Sequence, residues 1–595
     1  MGYFISLVCM LGYYAIAGVS LREAGIFTAY KNSKKNDCVF IIACTVVSIA
    51  FIMSYMSKEQ YIYFWDSGSY WHWTLNISNQ MNSTSLFDFL GMILKSINSD
   101  EYNILACVIL AIPLRLFGSS YYAFVILTFL LFYIPACFVI AYTINTIVNR
   151  FKLGYTRLIF VYPYVLLFSI MIFPIIDGYV DVIAMLPLSI SFLLIVDRDF
   201  EKIEIAKDIL LGFTILLVLL LRRYYAYAIV GEAFLGLWYW IAYGLKKNNL
   251  KKYIKKRLLD TCASICVPTI LLLTIFQKFF MKSMFNNYDY AYSAYKSTTT
   301  MGEFVLLTRY IGLILIALVI AGVLLNIKTK NRHLVLSILG GGLVTCILFF
   351  GVQDMGQHHY YTISIPLCCL SYIGITSILN LTKGKTFLRY AVSAMMVILV
   401  AANFSMSFGI GSQYKNILWT QRTAVPKVRN DISTLRQMKN YLEELDINGY
   451  AHVYCLASSE ILNDDIIRKI DAPDLALSFD LMSVSHVDMR DGFNTDVFDA
   501  NVIIACDPVQ YHLTHGQEVI TTMNNLMLNS NEFSDNYVCK KTYTLDDGVV
   551  AYIFVKQSSL TEEDIIYVRD LYDKIYPNDT GLFRDRFDKY IETHF

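Results

Sequence analysis

From the N-terminus to about residue 409 the chain is a succession of long apolar stretches, and beyond that point they stop. Many reach roughly 17–25 residues, the length at which a helix crosses about 30 Å of hydrocarbon. In lipid only a helix or a closed barrel satisfies every backbone N–H and C=O, and uninterrupted runs of this length are helical. Composition agrees: of 595 residues, 56% are hydrophobic and 16% charged, with a mean hydropathy of +0.48. That is too apolar for an ordinary soluble protein. A net charge of +1 gives no electrostatic footprint for nucleic acid.

Thirteen cysteines are scattered without a C-x-x-C pair and read as small core residues. Cys455, Cys506 and Cys539 fall past the last apolar stretch and leave one disulfide open. The N-terminal MGYFISLVCMLGYYAIAGVSL lacks the positive n-region and cleavage site of a secretory signal, so it reads as a retained first span. The bias toward Ile, Lys, Asn and Tyr is associated with AT-rich bacterial genomes.

Lys and Arg in short loops mark the cytoplasmic side. Here the basic loops are Arg22–Lys35, Arg150–Arg157, Arg198–Lys207, Lys246–Arg257, Lys328–Arg332 and Lys383–Arg389. Two crossings between each successive pair give spans near 4–20, 38–56, 121–147, 157–173, 180–196, 206–221, 224–243, 261–281, 305–327, 334–350, 359–380 and 389–409. The expectation is a polytopic α-helical protein of the cell membrane with about twelve transmembrane helices. Its transmembrane domain covers 1–410, with an extracytoplasmic loop and juxtamembrane helices at 57–120, and a soluble extracytoplasmic α/β domain follows at 411–595. Asn103–Phe117 is apolar but short and contains Pro113 and Arg115, which predicts an interfacial or re-entrant helix on the outer face.

Four polar clusters fall between basic loops, hence all on the outer side: Trp65–Tyr70, Asp177–Asp181, Arg222–Tyr225 and Gln353–Tyr361. Asp66 sits in the interfacial aromatic setting YIYFWDSGSYWHW. A carboxylate there can take a proton from a hydroxyl or hold a metal ion, and an N-cap role stands beside those readings. Asp177 and Asp181 straddle Gly178, and their four-residue spacing predicts one shared helix face or a pair of caps. Arg222 and Arg223 interrupt a nearly uncharged run, at about 2.5–3.5 kcal/mol each on insertion scales. A lipid phosphate suits guanidinium in bidentate geometry, and snorkelling to the headgroups is the alternative. Gln353, Asp354, Gln357, His358, His359 and Tyr360 suit a sugar or phosphate site, while adjacent histidines on one helix face apart and chelate poorly.

An acidic residue in the first large outer loop, juxtamembrane helices beside it, many spans and a C-terminal soluble domain resemble the GT-C superfamily of integral-membrane glycosyltransferases. That superfamily includes protein O-mannosyltransferases and aminoarabinose transferases, which use sugars on polyprenyl phosphate or pyrophosphate. The GYxD turn, the LRRYY run and the QDxxxHHYY run also look like those of bacterial GT-C-like membrane proteins. The resemblance covers about residues 38–409; Asp66 is followed by Ser67 where the mannosyltransferases usually carry an Asp-Glu pair, which leaves the second carboxylate to Asp177 or Asp181.

It implies a cell-envelope glycosyltransferase in the lipid bilayer, with a polyprenyl-phosphate sugar donor and a glycan, lipid or protein acceptor. By this resemblance Asp66 is the general base and Arg222 and Arg223 bind the phosphate. Asp181, Asp177, Tyr179, Tyr224, Gln353, Asp354, Gln357, His358, His359 and Tyr360 position sugar and acceptor, and a shared divalent cation is left open. The rival reading is a transporter or flippase of a lipid-linked glycan, which calls for polar residues at the midplane of several spans. Glu232 is the main mid-span charge.

Past Ser412 the sequence turns polar. Strand patterns at Ala451–Leu456, Asn501–Cys506, Tyr537–Tyr543 and Val549–Val555, the last two joined by Asp546-Asp547-Gly548, alternate with helical patterns at Asn430–Leu445, Gln517–Asn529 and Glu562–Tyr576. Thr561 and Asp564 predict a capping box, and Asp488–Gly492 and Asp507–His512 are candidates to line a site at strand ends.

Overall fold

Leu, Ile, Val and Phe dominate the apolar runs, and with no water to satisfy the backbone each run closes its own hydrogen bonds as helix. The computed structural model describes residues 2–26, 35–247, 250–447, 449, 452–485 and 488–595, and each expected span coincides with a helix, straight or broken. Residues 27–34 of the first basic loop, 248–249 of the fourth, and Ala451, the expected start of the first strand, lie outside the described residues. Among the described residues eight helices are long and apolar enough to cross a bilayer, ten if two bent pairs each count as one span. The chain is a polytopic α-helical membrane protein with a C-terminal α/β region. It divides into two compact units: Met1–Ser57 with Ser69–Pro426, and Lys58–Gly68 with Lys427–Phe595.

Two expected spans of the helical unit are sharply bent, and a third, 261–281, is interrupted between Thr274 and Gln277. Leu158–Leu166 and Ser169–Ile176 meet at 57°, and Thr300–Ile311 and Leu313–Leu324 at 104°. The sharper bend turns on Gly312, whose φ of +89° is a conformation that side chains rarely adopt. The break frees N–H groups that a continuous helix would use internally. Leu313 and Ile314 donate them to the carbonyls of Ile417 (3.2 Å) and Leu418 (3.0 Å), so the segment after the last span runs against the broken helix. Leu105–Phe117, expected as an interfacial or re-entrant helix, has Ala106–Ala111, Pro113 and Leu114 buried in the unit.

Where helices touch most closely, glycine makes the approach possible, as small residues do in membrane bundles. A Cβ on Gly374 of Tyr361–Leu381 would overlap the Leu318 carbonyl of Leu313–Leu324, and a Cβ on Gly322 would overlap the Leu370 carbonyl in return. Gly374→Val is expected to push this pair apart and cost about 1–3 kcal/mol as overpacking. Thermal unfolding of the purified protein checks it; an unchanged midpoint would mean the helices separate without cost.

The second unit is a five-stranded sheet of β1 (His452–Cys455), β2 (Asp480–Ser483), β3 (Val502–Asp507), β4 (Tyr537–Thr544) and β5 (Val550–Lys556), in the order β2-β1-β3-β5-β4. β1 runs parallel to β2 and β3, while β5 pairs antiparallel with β3 and β4. β3 alternates Val502, Ile504 and Cys506 into one core with Ile503 and Ala505 into the other, the pattern of a strand covered on both faces. Ile432–Ile447 and Asp464–Lys469 cover the first face; Glu518–Leu528, Glu562–Ile575 and Arg584–His594 cover the second. Thr561 and Asp564 form the expected capping box. Cys455 and Cys506 are buried and Cys539 is exposed, all three as free thiols, so the open disulfide does not form.

The entering segment Lys58–Gly68 belongs to this fold. Ile62 and Phe64 lie in the first core, Gln60 N–H donates to the Lys427 carbonyl (2.9 Å), and Arg429 N–H donates to the Gln60 carbonyl (2.8 Å).

Candidate functional site

Between the short helix Phe173–Ile176 and the 3₁₀ turn Asp181–Ala184 the chain reverses at Gly178, with φ +80°. The reversal separates the two carboxylates that the spacing predicts on one face. Asp177 Oδ2 accepts from Gln357 Nε2 (2.7 Å) and Arg422 (2.9 Å). Asp181, only 2% exposed, has Oδ1 at 2.8 Å from Arg222 Nε, and Arg222 is itself 4% exposed.

Tyrosines complete the surroundings of this pair. Tyr224 donates to Asp181 Oδ1 (2.9 Å) with the His358 carbonyl 3.2 Å away, and Tyr225 donates to the Asp181 carbonyl (2.9 Å). The Arg222 guanidinium carbon lies 4.4 Å from the Tyr70 ring centre, a cation–π distance. The Tyr179 and His358 rings stack at 4.5 Å and 13°. His358 and His359 do not face apart. On the 3₁₀ turn Gln357–Tyr360 their rings are 3.9 Å apart, and Gly356 N–H donates to His359 Nδ1 at 3.0 Å.

The polar atoms of this site outnumber their partners. Arg222 Nε is close to Asp181 Oδ1 by distance but off the line a hydrogen bond needs. It, Arg222 Nη2, Asp181 Oδ2, His358 Nδ1, Gln357 Oε1 and Arg422 Nε are all buried without a hydrogen-bond partner among the described residues. Buried polar groups are nearly always paired, so this group of atoms has hydrogen-bonding capacity that water or a ligand would satisfy. Among the described residues no three His, Cys, Asp or Glu side chains meet in a way that could hold a metal ion.

Other expected site residues sit apart from Asp181. Arg223 turns to Glu101 and to the Tyr292 hydroxyl (3.2 Å), and Lys282 reaches the same carboxylate at 2.7 Å. Burial raises the Glu101 carboxyl, but the hydrogen bonds and charges of Arg223 and Lys282 outweigh it and hold the group at about 2. Asp354 Oδ2 accepts from the Ser297 backbone N–H (2.6 Å), Tyr360 stacks on Tyr310 at 3.9 Å, and Gln353 is buried. Arg422 is absent from the sequence-level candidates. It is one arginine past the last apolar run, and nothing in the sequence says that the Gly312 break carries its segment toward Asp177.

In the second unit, Asp66 stands half-buried in the first turn of the helix Trp65–Ser83 rather than at its N-cap. Trp65 N–H donates to Asp465 Oδ2 (2.6 Å), and the Trp65 ring lies 4.8 Å from that of His512. His512 follows β3, and Ser458, which accepts from its Nδ1 at 3.0 Å, follows β1. These two loops flank the point where the strand order reverses, where open α/β sheets bind ligands. Asp488–Gly492 is accounted for locally: Asp488 caps the turn Met489–Asp491 and pairs with Arg490 (2.9 Å).

No family model matches the chain, and no curated protein matches it. Among solved structures it is similar to ArnT from Cupriavidus metallidurans in the apo state, at 11% identity and a TM-score of 0.46, covering 87% of this chain and 97% of that one. It is similar also to ArnT from Cupriavidus metallidurans bound to undecaprenyl phosphate, at 10% identity and a TM-score of 0.44, covering 86% of this chain and 97% of that one.

Proposed function

We propose that the chain is a membrane glycosyltransferase that moves a sugar from a polyprenyl-phosphate-linked donor to an acceptor hydroxyl on the extracytoplasmic face. The acceptor is a cell-surface glycan, a lipid or a protein. Arg222 carries the reading. It is buried in a helical bundle against Asp181, yet two of its nitrogens lack hydrogen-bond partners among the described residues. Asp181 offsets the charge and leaves N–H donors for phosphate oxygens, which guanidinium binds strongly. The stacked Tyr179 and His358 rings offer a flat wall for a sugar.

In the transfer, the acceptor O–H bond breaks and its oxygen forms the new bond to the anomeric carbon. The bond from that carbon to the phosphate oxygen breaks with its electron pair staying on the phosphate. Asp66 takes the proton as general base. The leaving phosphate needs no proton, and Arg222 stabilises its growing charge. Asp177, held by Gln357 and Arg422, sets the position of the turn that carries Tyr179.

Purified protein in vesicles with radiolabelled polyprenyl-phosphate sugars tests this reading: release of polyprenyl phosphate is expected. Labelled lipid reaching the far leaflet intact would select the flippase instead.

A further inference from the structure

Trp65, the residue before Asp66, has φ +46°, a left-handed backbone that a bulky residue rarely adopts and that persists only where its surroundings hold it. Groups of the soluble unit hold it. Asp465 Oδ2 takes the Trp65 N–H, and His512, tethered to the Ser458 carbonyl, lies against the Trp65 ring. The same Asp465 oxygen takes Lys469 Nζ at 2.7 Å, one turn along the helix Asp464–Lys469, and the Lys469 side chain is only 5% exposed. Asn463 caps that helix, its Oδ1 accepting from Ile466 N–H at 2.8 Å. A Cβ on Gly68, two residues past Asp66, would overlap the Tyr63 carbonyl and lie 3.0 Å from Lys469 Nζ, so the ammonium sits beside this backbone.

Granting Asp66 the base role proposed above, we propose that Asp465 and Lys469 are positioning residues of the reaction. Asp465 fixes the strained Trp65 backbone and with it the direction of Asp66, and the Lys469 ammonium beside Gly68 keeps the Asp66 carboxylate ionised. The charged groups facing Lys469 are Asp464 and Asp465 on its own helix and Asp66 on the entering segment. His512 faces Trp65, and Glu59 is engaged by Tyr63 earlier in that segment. Burial pulls the ammonium below the usual lysine range, and the carboxylates of Asp465, Asp464 and Asp66 offset part of that.

The test is the pH profile of kcat/KM for sugar transfer by the full chain in vesicles. Lys469→Met removes a positive charge from beside a carboxylate, so the Asp66 carboxyl rises and the acidic limb is expected to move to higher pH by about one unit. On the acidic limb, at pH below both midpoints, the rate falls roughly tenfold with donor KM held, and Lys469→Arg restores both. Lys469→Gln keeps a donor for Asp465, removes only the charge, and gives the same reading where the Met variant is not recovered. Asp465→Leu lowers kcat by releasing Trp65. An acidic limb unmoved in the active Lys469 variants overturns the proposal while leaving the transferase reading intact. Full transfer by Asp66→Asn, or none by the native chain, overturns the base role or the transferase reading instead, and this proposal with it.

Discussion

Asp66→Asn is expected to abolish sugar transfer and to leave the membrane yield of the protein unchanged. Asparagine has the size of aspartate and keeps hydrogen-bonding atoms, but its amide does not accept a proton at neutral pH. A positioned general base contributes about 10²–10⁴ in rate, so the loss is expected at that scale. Asp66 is half-buried, and its segment is also fixed by its neighbours: Ile62 and Phe64 in the core, Trp65 on Asp465 and His512, and Ser67 donating to the Phe64 carbonyl at 2.6 Å. Release of polyprenyl phosphate by the purified variant, beside its thermal midpoint, is the measurement. Normal release rules out the base role, and a collapsed midpoint assigns Asp66 to structure.

What the sequence reveals here follows from the range of the forces involved. Apolar length is a local property, and it locates the helices at each expected span, from Gly2–Glu23 to Thr386–Ser407. The β4–β5 hairpin across Asp546–Gly548 and the Thr561 capping box are local too and stand where their patterns predict. The strand β2, Asp-Leu-Met-Ser, has no β-branched or aromatic residue to signal a strand and is missing from the expected elements. Bends need tertiary partners: Gly312 becomes a 104° break because the backbone of Ile417–Leu418 accepts the freed N–H groups.

The same logic divides the candidate site. Arg222 and Arg223 look alike in the sequence, yet the 3₁₀ turn that begins at Arg223 sends one to Asp181 and the other to Glu101. Ile62 and Phe64 have the interfacial composition expected of an outer loop, and they serve instead as core of the α/β unit. Adjacent histidines face apart only on an α-helix, and His358 and His359 are on a tighter turn.

Arg222→Met separates the two roles of the buried pair. The substitution leaves the Asp181 carboxylate buried, with Tyr224 as its remaining side-chain donor, and breaking one side of such a pair costs about 3–5 kcal/mol. A large fall in thermal midpoint is therefore expected, together with loss of donor binding. Replacing both partners, Arg222→Met with Asp181→Leu, removes the stranded charge, and apolar residues of similar volume commonly match or exceed a buried pair in stability. The double variant should recover the midpoint and still fail to bind donor. Arg222→Lys should fall between: it keeps the charge but loses the planar fork that meets two phosphate oxygens at once. Thermal unfolding and binding of a labelled polyprenyl-phosphate sugar, measured on the same three preparations, decide the matter. A pair kept for stability alone would bind donor normally in the double variant. A pair kept for the phosphate, as proposed, recovers its stability and stays unable to bind donor, because the double variant lacks the Arg222 donors proposed for the headgroup.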